Sequence, residues 1–488
     1  MSKTDLKRGL GLLETTVIGV GITIGAGIYV LIGKAVGLTG PSVWISFVVA
    51  GILAALTGLS YAELSSMYPK DSSEYLYIKK AFKWESLAFL TGWICILTGA
   101  IGAAAVSLGF AGYFVYIFNT PMILTAMFVI VLLSVINFMG VKKSAMLDVI
   151  FTIAAVLGLV FIIFIGLKNF GSVNYFQTID GLRGVFKSAS LIFFAYIGFQ
   201  GVVRLSEETR EPSKTIPKAI ILSVVITTFL YIGVAIASVS TLSTSELSGS
   251  SAPLADITAR VLGGANPIVI AILAIFATLS TILAVLLITS RLLYGMAEEH
   301  SLPKSLKSIN PLTQTPGNAI LLTGVGSLFF ILLGKIETVA SIVNFMIFVI
   351  FILVNLSVIS LRYKYPDMHR NFKVPINIGR FPILAFAAVL VSLFMLLHIS
   401  MTVFLASLIL IILGLVVYEL ITKEKTLEKG FIDPYRAASL ALGICLFMLG
   451  SFIVVGGFLV EQFWWTGILW IILGAALFWY TYSLIFRE

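Results

Sequence analysis

Along the chain, apolar runs about as long as a bilayer is thick alternate with short charged breaks. A hydrocarbon layer of roughly 30 Å takes about 20 apolar residues as a helix. Reading runs against breaks predicts fourteen spans. They cover about 11–36, 41–67, 85–118, 121–139, 145–167, 185–205, 216–240, 266–297, 316–334, 336–361, 381–398, 400–421, 437–460 and 464–485. Segment 251–263 is weakly apolar and follows a Ser/Thr-rich stretch, so it predicts a lid helix lying outside the membrane.

Composition narrows the class. Hydrophobic residues make up 59% and charged residues 11% of the 488, against about 45–50% and 25% in a soluble domain. No globular core hides that much apolar surface. A cytosolic enzyme, a secreted disulfide scaffold and a disordered chain are excluded together. Cys95 and Cys445 both sit inside apolar runs and read as buried thiols, with no disulfide or metal site expected. Residues 1–10 are short and charged, and the apolar stretch after them is too long for a signal-peptide core, so no cleavage is expected.

A net charge of +9 raises the question of nucleic acid in a soluble protein. Here basic residues orient spans instead. With the N-terminus inside, the outer segments hold only Lys34, Lys168, Arg183, Lys187, Arg260 and Lys335 of the 32 basic residues. A missed span would swap the sides downstream and blur that bias. It predicts both termini in the cytoplasm, a multi-pass protein of the cell membrane, lipid as its surroundings and no nucleic-acid partner.

Two spans carry more than a lipid anchor needs. The first contains Gly19, Gly21, Gly25 and Gly27; the sixth contains Gly198 and Gly201. Mid-helix glycine costs about 1 kcal/mol against alanine, and non-helical backbone survives at membrane depth only where it lines a protein-enclosed cavity. Any one such glycine also serves close helix packing. Their positions, opening two possible five-helix halves, favour matched breaks in an inverted repeat. Unpaired N–H groups at a break suit a carboxylate, and unpaired carbonyls suit an ammonium group. Such a site takes a zwitterion.

At these residues a family resemblance enters. Gly25-Ala26-Gly27-Ile28 resembles the first-helix signature of the amino acid–polyamine–organocation transporter superfamily. Tyr61 to Leu64 with Pro69 and Glu74-Tyr75, Phe194 to Gln200 with Glu207-Glu208 and Pro212, and Tyr365-Pro366-Asp367 with Phe372 to Pro375 resemble three more of its motifs. Fourteen spans is the pattern of its cationic amino acid transporter branch. The resemblance implies an all-α, five-plus-five inverted-repeat core of the leucine-transporter type. Its first repeat would be 11–168 and its second 185–361, with peripheral spans over 381–485. It further implies that Ala26 and Gly27 offer N–H groups to the substrate carboxylate, that Thr23, Phe194 and Ile197 offer carbonyls to its amine, and that Phe194 gates the site. Gly25, Ala195 and Gln200 complete the implied substrate-binding set.

Two departures matter. Relatives often carry an acid where this chain has Gln200. Proton-coupled relatives often carry a fifth-span lysine; Ile153 aligns there, and no lysine lies between Lys143 and Lys168. Ser280 and Thr281 on span eight resemble the hydroxyl pair that, with first-span carbonyls, holds sodium in coupled relatives. Alternatively, these hydroxyls bond back to their own helix. Sodium coupling, proton coupling without the lysine, and uncoupled exchange stay open.

Glu63 and Asp148, near inner span ends, read as gate or loop-anchoring residues, as do Glu207 and Glu208 within their motif. His398 reads as interfacial. No acid falls in the stretches expected to line the site, so a neutral amino acid is the expected substrate, moved by a symporter or exchanger. A cationic amino acid or polyamine transporter, and a non-transporting sensor of the same fold, are the alternatives. No zinc-hydrolase, phosphate-loop or paired-aspartate motif occurs, so neither enzyme activity nor a cofactor is expected.

Overall fold

The computed structural model describes residues 10–68, 73–139, 141–205, 209–263, 267–299, 301–311 and 313–426. The spans expected at 437–460 and 464–485, together with Cys445, Glu207 and Glu208, lie outside the described residues. Those described are helical apart from connections and one antiparallel hairpin, Asn377–Ile378 against Phe381–Pro382.

Among the described residues, eight helical runs are long and apolar enough to cross a membrane: Gly27–Met67, Glu85–Phe118, Phe151–Asn169, Gly181–Val203, Pro212–Thr241, Ile268–Glu298, Ile336–Lys364 and Met401–Glu419. Shorter apolar helices occupy Leu12–Thr23, Met122–Phe138, Gly317–Ile331 and Ile383–Leu396. Large apolar side chains also cover the outside: Phe128, Phe164 and Phe229 are 64%, 72% and 72% exposed. In water such a surface is an aggregation patch; in lipid it is ordinary. This is a multi-pass membrane protein.

The first run turns at Gly40, whose φ of +80° suits glycine, and at Pro41. It therefore holds two elements, α2 (Ala26–Thr39) and α3 (Val43–Met67), preceded by α1 (Leu12–Thr23). Next come the charged helix α4 (Ser73–Phe82), which no apolar run foretold, then α5 (Glu85–Phe118), α6 (Met122–Phe138) and α7 (Val141–Gly166). After α8 (Gly181–Ile192) and α9 (Pro212–Thr241) come the paired short helices α10 (Thr244–Gly249) and α11 (Pro253–Leu262). The order closes with α12 (Pro267–Glu298), α13 (Gly317–Ile331), α14 (Ile336–Lys364), α15 (Ile383–Leu396) and α16 (Met401–Thr426).

The segment 251–263, expected as a lid, holds the short helix α11, and the Ser/Thr-rich stretch before it is itself the helix α10. Its Ser243 and Glu246 form a capping box, the Ser243 amide donating to the Glu246 carboxylate at 2.8 Å. Packing follows membrane logic: small residues let backbones touch. A Cβ on Gly33 of α2 would collide with the Leu247 carbonyl of α10, and one on Gly112 of α5 would lie 2.8 Å from that of Ser251. The lid is thereby seated on α2 and α5.

Candidate functional site

Both glycine-rich spans are broken. In the first, α1 ends at Thr23 and α2 starts at Ala26; Ile24 (φ −77°, ψ 100°) and Gly25 (φ −142°, ψ −153°) between them are extended. The first N–H groups of a helix have no partner inside it, and no side chain caps α2. In the sixth, α8 passes into a 3-10 turn over Phe193–Tyr196, extends at Ile197, reverses at Gly198 and resumes as a 3-10 segment, Phe199–Leu205. The half after this break is 3-10 and not α-helical. Gly198 has φ +137°, and a Cβ there would lie 2.6 Å from the Ile22 carbonyl oxygen. Only glycine suits that position.

The two breaks interlock. A Cβ on Gly27 would run into the Ala195 backbone. The Tyr231 hydroxyl of α9 lies 3.0 Å from the Thr23 carbonyl oxygen and 2.8 Å from that of Ala195, so one proton is shared between both breaks. Asn344 of α14 donates to the Ser190 and Leu191 carbonyls at 2.7 and 2.8 Å, satisfying the end of α8. Gln200 turns its side-chain oxygen back to the Gly198 N–H at 3.1 Å. In the sequence, Tyr231 is signalled only as a lone tyrosine in an apolar span, and Asn344 only as one of two asparagines, with Asn355, in another.

Around the breaks lies a cavity of about 110 Å³. Thr23, Gly25, Gly27, Phe194, Ile197, Gln200 and Thr281 line it. Ala195 does not: it packs behind Gly27. Of Ala26 only its place as the first residue of α2 is described. Much of the remaining wall is aliphatic, with Val106, Val285, Ile288, Val343, Ile347 and Ile350 among its residues. Away from the lid the wall continues to Cys95, Leu292 and Glu74, while α10 and α11 cover the opposite end, where Lys34 donates to the Ser248 carbonyl at 3.0 Å and pairs with Glu337 at 3.2 Å.

Three expectations change. Glu74, only 5% exposed, does line the cavity and accepts from the Tyr61 hydroxyl at 3.2 Å. The acid was missed because it comes from α4, outside the apolar runs. Ile153, aligned with the fifth-span lysine, is 53% exposed on the outer face of α7. Its neighbour Thr152 faces inward instead, against Gly21 and 3.4 Å from the Ser280 hydroxyl. Ser280 is off the cavity wall; Thr281 approaches Gly25 and also bonds back to the Ala277 carbonyl at 3.1 Å.

Farther along, Glu63 of α3 is 1% exposed and meets Arg362 of α14 at 2.9 and 2.5 Å, Arg370 at 3.2 Å and the Val374 N–H at 2.8 Å. This buried carboxylate links α3 to α14 through Arg362 and to the loop after α14 through Arg370 and the Val374 N–H. The Asp148 side chain lies outside the described residues.

Two broken helices thus border one small cavity, walled by aliphatic residues, glycines and threonines, inside a membrane protein. The Amino acid permease family pattern matches residues 10–399. The chain belongs to the amino acid permease family. With that family it joins the amino acid–polyamine–organocation superfamily. This permease is 31% identical over 444 residues to the branched-chain amino acid permease BcaP of Bacillus subtilis, covering 86% of this chain and 94% of that one. It is 31% identical over 399 residues to the methylthioribose transporter of the same organism, covering 76% and 85%. It is 31% identical over 390 residues to the vacuolar cationic amino acid transporter 2 of Arabidopsis thaliana, covering 74% and 61%. Its relatives are transporters and permeases, so its work is transport of amino acids and not catalysis.

Proposed function

We propose that this permease is a secondary active transporter of neutral amino acids with aliphatic side chains, working by alternating access as a symporter or exchanger in the cell membrane. The observation that carries the reading is the pair of interlocked breaks. The uncapped start of α2, at Ala26 and Gly27, takes the substrate carboxylate. Carbonyls at the ends of α1 and of the sixth-span turn, those of Thr23, Phe194 and Ile197, take its amine, and Phe194 closes over it. Backbone dipoles do both tasks without buried ions, leaving the aliphatic wall to sort side chains by size. The core is read as a five-plus-five inverted repeat within fourteen spans, with cytoplasmic termini following the basic-residue bias. The lid seated on α2 and α5, with the wall continuing to α4, fits a cavity reached from the cytoplasmic side.

Uptake by proteoliposomes across a panel of radiolabelled amino acids, with sodium and proton gradients imposed separately, tests this. Leucine, isoleucine and valine should enter saturably and compete with one another. Two second readings each have an observation behind them. Glu74 on the wall favours a cationic substrate, which would make lysine the better competitor. The Thr152, Ser280 and Thr281 hydroxyls beside the first break favour sodium coupling, in which case Ser280→Ala with Thr281→Ala removes sodium-driven uptake while exchange persists.

A further inference from the structure

A second concavity lies apart from the substrate cavity, between α2, α8, α14 and α15 at the lid end of the bundle. It measures about 820 Å³. We propose that it is a binding site for the phosphate headgroup of an anionic phospholipid.

Its polar wall carries Lys34, Arg183, Lys187 and His398 against a single carboxylate, Glu337. Lys34 is held by Glu337 at 3.2 Å, and Lys187 by Asp180, which is not among the lining residues, at 3.4 Å. No ion pair involves Arg183 among the described residues, so a positive excess faces the concavity. A guanidinium fork with an ammonium beside it matches the two free oxygens of a phosphodiester. Arg183 also sits in the first turn of α8, a twelve-residue helix whose positive end adds to the same field. The His398 Nδ1 lies 3.0 Å from the Phe394 carbonyl oxygen. Donating there with a neutral ring leaves Nε2 an acceptor, so the phosphate is held by the cations and not by the imidazole. Burial holds this imidazole below its ordinary pKa, and Lys187 and Arg183 lower it further.

Apolar residues line the same concavity beside the cations, and this selects a lipid over a free anion. Phe186 and Phe394 meet edge to face at 4.8 Å, with the His398 ring 4.7 Å from Phe394. From Phe394 the exposed stripe Leu393, Leu390 and Phe386 runs along α15 at helical spacing, 42%, 51% and 40% exposed. A headgroup seated on Arg183 and Lys187 therefore finds a continuous apolar track for its acyl chains. The site also abuts the Lys34–Glu337 pair joining α2 to α14, so its occupant touches the closed end of the transport pathway.

The test is a titration of the purified full-length permease in neutral detergent, followed by thermal unfolding and native mass spectrometry. The probes are short-chain phosphatidylglycerol, short-chain phosphatidylcholine, and inorganic phosphate with glycerol 3-phosphate. Phosphatidylglycerol should bind saturably and raise the unfolding temperature above what phosphatidylcholine achieves, and the soluble phosphates should do neither. Arg183→Gln and Lys187→Gln should each weaken it about fivefold, and together about 30-fold. Lys214→Gln, an exposed charge on α9 paired with Glu211, should leave binding unchanged. Unaltered binding in both single variants and the double variant overturns the proposal. So does an equal response to inorganic phosphate, which makes this a free-anion site, or an equal loss with Lys214→Gln, which makes the attraction non-specific.

Discussion

Two polar regions inside this membrane protein are built on opposite principles. At Glu63 a carboxylate, two guanidinium groups and a backbone N–H close on one another in a buried knot that ties α3 to α14 and to the loop after it. At the paired breaks the polar groups are backbone, joined by neutral hydrogen bonds and by glycines in contact, and the first N–H groups of α2 are left uncapped. A saturated ion cluster holds parts together because parting it strands charges in low dielectric. Neutral contacts part at small cost, and unpaired dipoles are free to take a ligand. In the mechanism proposed above, the knot belongs to what stays fixed, and the breaks to what moves and binds.

Breaking the knot should have the largest effect. Glu63→Gln leaves Arg362 and Arg370 without their carboxylate, costing roughly 3–5 kcal/mol. Thermal unfolding in detergent should show the loss, with uptake falling only in proportion to folded protein. Gly27→Leu should cut uptake per folded protein by about 100-fold or more, because the new side chain displaces the Ala195 backbone and misplaces the site. Tyr231→Phe removes one hydroxyl shared by Thr23 and Ala195, and should slow uptake by about tenfold with little change in unfolding temperature. The smallest effect is expected at Ile153→Ala on the lipid face, with uptake and its ion dependence unchanged. Thr152→Val, one residue away, should alter that dependence.

The sequence made the breaks legible because glycine clusters inside apolar runs have few other uses at that depth. Helix positions followed from hydropathy for the same reason: lipid imposes one simple rule on every span. What stayed hidden depended on which face a residue turns. Ile153 and Thr152 are neighbours, and only helix rotation decides which meets Ser280. In the sequence Glu74 belongs to a loop motif, and only the placement of α4 brings it to the cavity. Tyr231 and Asn344 act on backbone carbonyls far along the chain, and such contacts leave no local pattern. Ala195 belonged to a recognisable motif yet serves it from behind, as the surface on which Gly27 rests.

The most direct test of the central claim is a density map of this permease with leucine bound. The account predicts the leucine carboxylate within hydrogen-bond distance of the N–H groups that open α2 and its ammonium against the Thr23 and Ile197 carbonyls, with both helices interrupted. Leucine held elsewhere, or first and sixth spans running unbroken past it, would contradict the account.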